Sequence, residues 1–157
     1  MNIVKAIISI IITILLCSFA NAQTKTNIKM KEQANIIFTA WEKGEAGNGY
    51  ADFKNHIDES NFKTFSHPLK GNYTNKEALQ KLVEIIKERE VNPNQLQFSN
   101  VITYSFQNNF CFQFDSEGKV SGGFPYKGYN IIQLEIKGAK LVGFREYFGF
   151  IDPAWFK

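Results

Sequence analysis

The sequence predicts a single α+β domain, and three observations predict it. Apolar residues recur at helical spacing before Pro93 and at every second position after it. Helices therefore come first and an antiparallel meander follows. The chain has 157 residues, room for one ordinary domain, with 44% apolar and 21% charged residues, which excludes disorder as its main state. The formal net charge of +3 comes without a basic block, so no nucleic-acid footprint stands out.

Residues Met1 to Ala22 read as an address. Lys5 precedes an apolar run from Ala6 to Phe19, and Ala20-Asn21-Ala22 supplies a small-x-small cleavage pattern, leaving Gln23 as the first mature residue. The competing reading, a membrane anchor, needs roughly 20 apolar residues and the run is shorter. The expected localisation is export, to the periplasm or beyond, with no membrane attachment after cleavage. Lipidation at Cys17 would want a small residue before it, where Leu16 stands. Without the signal only Cys111 remains, so no internal disulfide can form, and its place between Phe110 and Phe112 suits an inert thiol.

In the mature chain a polar leader precedes a first helix from Ile28 to Lys43, with Met30, Ala34, Ile37, Phe38 and Trp41 on one stripe. The glycine-rich stretch Gly44 to Gly49 ends it, and Tyr50 to Ile57 reads as a short second helix. Phe62 to Leu69 reads as extended. Thr74-Asn75-Lys76-Glu77 matches a capping box, and the stripe Leu79, Leu82, Val83, Ile86 carries a third helix to about Arg89 before Asn92-Pro93.

Alternation then takes over. Leu96, Phe98, Ile102, Tyr104 and Phe106 are placed on one strand face, and Phe110, Phe112 and Phe114 on the next. Ser116-Glu117-Gly118 reads as a turn, and Gly122, Gly123 and Pro125 as interruptions of the following strand. Ile132, Leu134 and Ile136 alternate before a turn at Lys137-Gly138, and a last strand runs from Lys140 to about Ile151.

This order resembles the SnoaL-like, nuclear-transport-factor-2-like superfamily over roughly Ile28 to Ile151. The local matches are His67-Pro68-Leu69-Lys70-Gly71 running into Thr74 to Leu79, and the closing strand Lys140 to Phe148 with Arg145 and Tyr147. Asn75 stands where the family has glycine, and Gly149 about where many members have aspartate. The run Gly122 to Tyr129 is similar to a piece of the phenazine-biosynthesis A/B branch, without that branch's acidic residue afterwards. The resemblance implies a cone: three N-terminal helices packed in a strongly curved antiparallel sheet, with a pocket at the mouth and no cofactor.

Glu146 is the most informative residue for chemistry. Val142, Phe144, Phe148 and Phe150 share its strand face, and it alone is charged. A carboxyl among aromatic rings has a raised pKa, as a general acid or base near neutral pH requires. The competing readings are an outer face buried in a dimer, a splayed Arg145-Glu146 pair, or a structural bond to the backbone. His67 shares a face with Phe65 and Leu69. The resemblance puts it where ketosteroid-isomerase-like members place their base, and the alternative is a loop histidine packed on Pro68. His56 reads as surface. Two histidines eleven apart match no metal-ligand spacing, and neither a phosphate loop nor a Gly-x-Ser-x-Gly turn is present.

The chain holds 15 Phe, 6 Tyr and 2 Trp, more than a small core requires. Phe38, Trp41, Tyr73, Tyr104, Tyr129 and Phe144 are the candidate pocket residues, against simple core packing for each. Three functions are weighed. The first is an exported pocket protein binding a small apolar or aromatic molecule. The second is a cofactor-independent isomerase, cyclase or hydratase using Glu146 or His67. The third is a structural role through homodimerisation of the outer sheet face, the partner then being a second copy.

Overall fold

The computed structural model describes residues 27–149. The expected export signal, Cys17 and residues 150–151 of the expected closing strand lie outside them. Helix α1, over residues 27–43, buries Ala34, Ile37, Phe38, Ala40 and Trp41 on one stripe. The glycine-rich stretch does not end it at once. The backbone widens into a π-helical turn, Gly44–Asn48, interrupted by Gly47 at φ 87°, which carries Glu45 inward before Gly49 releases the chain. Gly44 is required here, because a Cβ would stand 2.3 Å from the Tyr50 ring. A short helix α2, Ala51–Asn55, adds Phe53 to the core.

The segment expected to be extended holds β1 (Thr64–His67), and a second strand beyond it, β2 (Gly71–Thr74), folds back on β1 as a hairpin. Helix α3, Asn75–Val91, follows, burying Ala78, Leu82, Ile85, Ile86 and Arg89. Its capping-box sequence is not used as such: Thr74 makes no side-chain cap bond. The chain instead enters through Asn75 at φ 55°, a conformation asparagine tolerates, and the Asn75 N–H donates to the Lys63 carbonyl at 2.8 Å.

Four strands complete the fold: β3 (Gln95–Phe106), β4 (Asn109–Val120), β5 (Phe124–Lys137) and β6 (Lys140–Phe148). The sheet runs β2-β1-β6-β5-β4-β3. All neighbours are antiparallel except β1 and β6, which pair in parallel, so the sheet is mixed where the sequence suggested a purely antiparallel one. The helices pack against its inner face.

Two local readings change. Ser116 to Gly118 is not a turn: β4 continues to Val120, and Gly118 serves close approach, since a Cβ there would meet the Gln95 carbonyl oxygen at 2.0 Å. The hairpin turns at Gly122 and Gly123, with φ 88° and 80°. On β3 a bulge sets three steps, Ser99 to Ile102, against two on β4, Asp115 to Gln113. One extra residue inverts the alternation, so Leu96 and Phe98 face inward while Ile102, Tyr104 and Phe106 face outward.

The core is built ring on ring. Trp41, Phe53, Phe65 and Phe144 are all under 2% exposed, with Trp41 4.6 Å from Phe144 and 4.9 Å from Phe53 between centroids. Phe38 stacks on Phe112 at 4.2 Å. Such packing contributes about 0.5–1.5 kcal/mol per ring pair beyond area burial.

Candidate functional site

A cavity of about 330 Å³ opens beside this core, between the C-terminal half of α3, the π-turn and the inner sheet face. Its apolar walls include Ile85, Leu96, Phe98, Phe114, Phe124 and Phe148. The mouth carries Leu69 and Ser121, with Lys70 Nζ and Glu88 Oε2 paired at 2.8 Å.

The inner end is charged. Arg89, last on the buried stripe of α3, donates from Nη1 to Glu45 Oε1 at 2.5 Å and from Nη2 to Glu146 Oε2 at 3.1 Å. Its guanidinium carbon lies 4.9 Å from the Trp41 ring centre, a cation–π seat. Glu45 also accepts from Tyr50 Oη at 2.6 Å and from Asn94 Nδ2 at 2.7 Å. All three charged residues are at most 8% exposed.

His67 reaches this cluster through the parallel strand pair. Phe65 stands opposite Phe144 and Ser66 opposite Arg145, so the next step in register sets His67 beside Glu146. Its Nε2 lies 3.6 Å from Glu146 Oε2, beyond a hydrogen bond, while its Nδ1 accepts from the Leu69 N–H at 3.2 Å. That acceptor role fixes the neutral tautomer with hydrogen on Nε2. Burial, then the nearby positive charges of Arg89 and Lys70, push the imidazole down to about 3. His67 is therefore a neutral donor facing a carboxylate rather than half of an ion pair.

The two carboxyls are shifted the other way. Burial raises both, against the lowering pull of Arg89. Glu45 is held by three donors and is the better-stabilised anion. Glu146 takes a single hydrogen bond among the described residues, from Arg89 on Oε2. Glu146 is thus the group that most readily holds or exchanges a proton with the cavity. A second polar group lines the sheet wall: Tyr126 Oη donates to Asn130 Oδ1, and Asn130 Nδ2 donates to Ser116 Oγ at 2.5 Å.

Of the sequence candidates, Glu146 and His67 meet in this cavity. The six aromatic candidates do not line it. Trp41 and Phe144 are fully buried in the adjoining core, Trp41 supporting Arg89 from behind. Phe38 lies one layer back, its ring 5.9 Å from Phe98 and 5.3 Å from Phe114. Tyr73 faces the α3 side, donating to the Lys70 carbonyl under Lys81. Tyr104 is turned outward by the β3 bulge, and Tyr129 lies exposed with its hydroxyl on Gln113. His56 is half-buried, its Nδ1 3.3 Å from Gln33 Nε2. Burial raises the Cys111 thiol, which faces outward on β4. No group of three His, Cys, Asp or Glu among the described residues could hold a metal ion.

Sequence reasoning missed Glu45, Arg89, Asn94, Ser116, Tyr126 and Asn130. Glu45 lies four residues beyond Trp41, and Arg89 seven beyond Leu82, on apolar helical stripes. Asn130 precedes Ile132, Leu134 and Ile136 on the same alternation, and Ser116 follows Phe110, Phe112 and Phe114. A polar residue in an apolar series was the available signal.

No family model and no curated protein matches the sequence. Solved structures do match. An NTF2-like protein from Anabaena variabilis ATCC 29413 is 25% identical, with 78% of this chain and 90% of that one covered at a TM-score of 0.63. A provisionally named isomerase from Bacillus subtilis is 18% identical, covering 76% and 88% at 0.60. A provisionally named SnoaL-like polyketide cyclase from Shewanella putrefaciens CN-32 is 7% identical, covering 75% and 80% at 0.55. The last two likenesses are of fold alone.

Proposed function

The chain belongs by its fold to the NTF2/SnoaL-like superfamily, and from that premise we propose that it is an exported domain binding a small, largely apolar molecule in its cone. The fold itself suggests small-molecule binding or isomerase- or cyclase-type activity. One observation carries the reading: a cavity with apolar walls whose inner end gathers Glu146, Arg89 and His67 out of bulk water. Few convergent polar groups in an apolar cleft are the usual build of such sites, and the volume falls within their common range of roughly 300–1,000 Å³. Export rests on Met1 to Ala22. Homodimerisation rests on the outward Ile102, Tyr104, Phe106, Tyr129 and Tyr147, each at least 43% exposed on the outer sheet face.

The test is native mass spectrometry of the chain from Gln23, purified gently, followed by a thermal-shift screen of small apolar and aromatic compounds. A dimer carrying a discrete added mass, or compounds that raise the midpoint and lose this effect in Val120→Trp at the cavity wall, is the expected result. A bare monomer overturns the dimer. No stabilising compound, or stabilisation indifferent to Val120→Trp, overturns the pocket reading.

A second reading, acid/base chemistry without a cofactor, is favoured by the raised carboxyl of Glu146 opening into the cavity. Glu146 is the proton carrier in that reading and neutral His67 a hydrogen-bond donor to substrate or carboxylate. Glu146→Gln should abolish turnover with the fold intact, and unchanged turnover removes the reading.

A further inference from the structure

We propose that the ligand of this cavity is an organic ammonium ion, a protonated amine on an apolar or aromatic body, seated on Glu146 Oε1. The proposal rests on the pocket reading above and names its ligand class. It starts from an inventory of charge. At the inner end two carboxylates, Glu45 and Glu146, face one guanidinium, Arg89. The other charges lining the cavity, Lys70 and Glu88, cancel each other at the mouth. His67 adds none, because its Nδ1 is occupied by the Leu69 N–H. Among the described residues, the buried cluster thus carries one more negative group than positive ones.

The position of that charge is also defined. Glu45 has its oxygens filled by Tyr50, Asn94 and Arg89. Glu146 is 6% exposed and lines the cavity, and the one hydrogen bond it takes among the described residues, from Arg89, falls on Oε2. A buried carboxylate in this state takes up either a proton or a cation. Around it stand the rings of Phe98, Phe114, Phe124, Tyr126 and Phe148, whose faces attract an organic cation and tolerate its apolar body. An anionic ligand is disfavoured: both arms of Arg89 are engaged and its face lies against Trp41, leaving no free positive group at depth among the described residues.

The exchange balances in protons. An ammonium ion entering a site where Glu146 is protonated expels that proton to solvent, so one proton is released per ligand bound. Affinity then rises with pH through the raised range of Glu146 until the amine loses its own proton. Among the described residues, the groups facing Glu146 are Arg89 from α3, Glu45 from the π-turn with Tyr50 behind it, His67 from β1 and Tyr126 from β5. Of these only Glu45 shares a raised carboxyl range, so Glu45→Gln separates the two.

The experiment is calorimetric titration with 2-naphthylmethylamine and its neutral counterpart 2-naphthylmethanol, and with the smaller pair benzylamine and benzyl alcohol. Each is run in two buffers of different ionisation enthalpy. The expected result is an amine bound roughly tenfold or more tightly than its alcohol, as a charge-assisted hydrogen bond would give. Proton release should accompany the amine and not the alcohol. Glu146→Gln should bring amine and alcohol to within about twofold, with alcohol binding retained as proof of an intact pocket. Proton release in the unsubstituted protein tests the proposal independently of any variant. Alcohols that bind as well as amines leave the pocket reading standing and overturn this one. Failure of all four probes overturns both.

Discussion

Two aromatic regions lie side by side on the inner face of β6 and end differently. Around Phe144 the rings of Trp41, Phe53 and Phe65 close on one another, with centroids 4.6, 5.8 and 6.4 Å from that of Phe144. One inward step along the strand, around Glu146, the rings of Phe98, Phe114 and Phe148 line open space. The sheet supplies aromatic bulk in both places. The helices make the difference: α1 and α2 bring Trp41 and Phe53 to the first, while the π-turn and the end of α3 bring Glu45 and Arg89 to the second. An apolar gap collapses when it can, but a charged cluster holding its own hydrogen bonds keeps its walls apart.

The strongest way to break that contrast is Arg89→Met. It removes the counter-charge from two buried carboxylates and should cost about 3–5 kcal/mol in urea unfolding at pH 8. Adding Glu45→Gln and Glu146→Gln should recover most of the loss. A cost under about 1 kcal/mol would mean that the cluster does not hold this end of the fold.

Next comes a pair of truncations. Phe144→Ala should destabilise by about 3–5 kcal/mol, as expected for a phenylalanine enclosed on every side. Phe98→Ala should cost roughly half as much, because one side of that ring already borders empty space. Equal losses would erase the distinction between core and cavity wall.

The pH dependence sharpens the contrast with smaller effects. His67 has a folded pKa of about 3 against 6.5 ordinarily, so between those values the unfolded chain binds a proton that the folded one refuses. Its contribution is present above pH 6.5 and is lost as pH falls toward 3, and His67→Gln should flatten that limb of the urea midpoint. Glu146 has the opposite sign. Its folded pKa lies above the ordinary 4.5, so the folded state keeps a proton that the unfolded one releases. Stability falls as pH rises from 4.5 through the raised range, and Glu146→Gln should remove part of that decline. A midpoint indifferent to both substitutions would show that neither group titrates differently on folding.

Much of the architecture was legible because burial writes itself in periods. The stripe of α1, the stripe of α3 and the alternations of β4 to β6 follow directly from which side chains avoid water. Events of one residue were not legible. The β3 bulge is invisible in the series Phe98, Ile102, Tyr104, which reads as unbroken alternation, yet it puts Tyr104 outside. The parallel pairing of β1 with β6 joins segments some eighty positions apart, and no local pattern encodes it. Glu146 was found as a charge on an apolar strand face. The same test with helical spacing would have found Glu45 and Arg89, whereas the strand's alternation alone drew attention. The aromatic candidates failed as pocket residues because ring size says that a side chain is buried, not whether its neighbour is another ring or a void.

The place of β6 in the sheet has a consequence in time. It is the last described strand in the chain, but it lies between β1 and β5 and joins the β1–β2 hairpin to the β3–β5 meander. Until residues 140–148 have emerged, the two halves share no strand pairing, and each exposes an inner edge that β6 will cover. The sheet therefore cannot close until β6 is in place. The strand that completes the sheet also brings Glu146 against Arg89, so closure of the fold and completion of the buried charged cluster become one event.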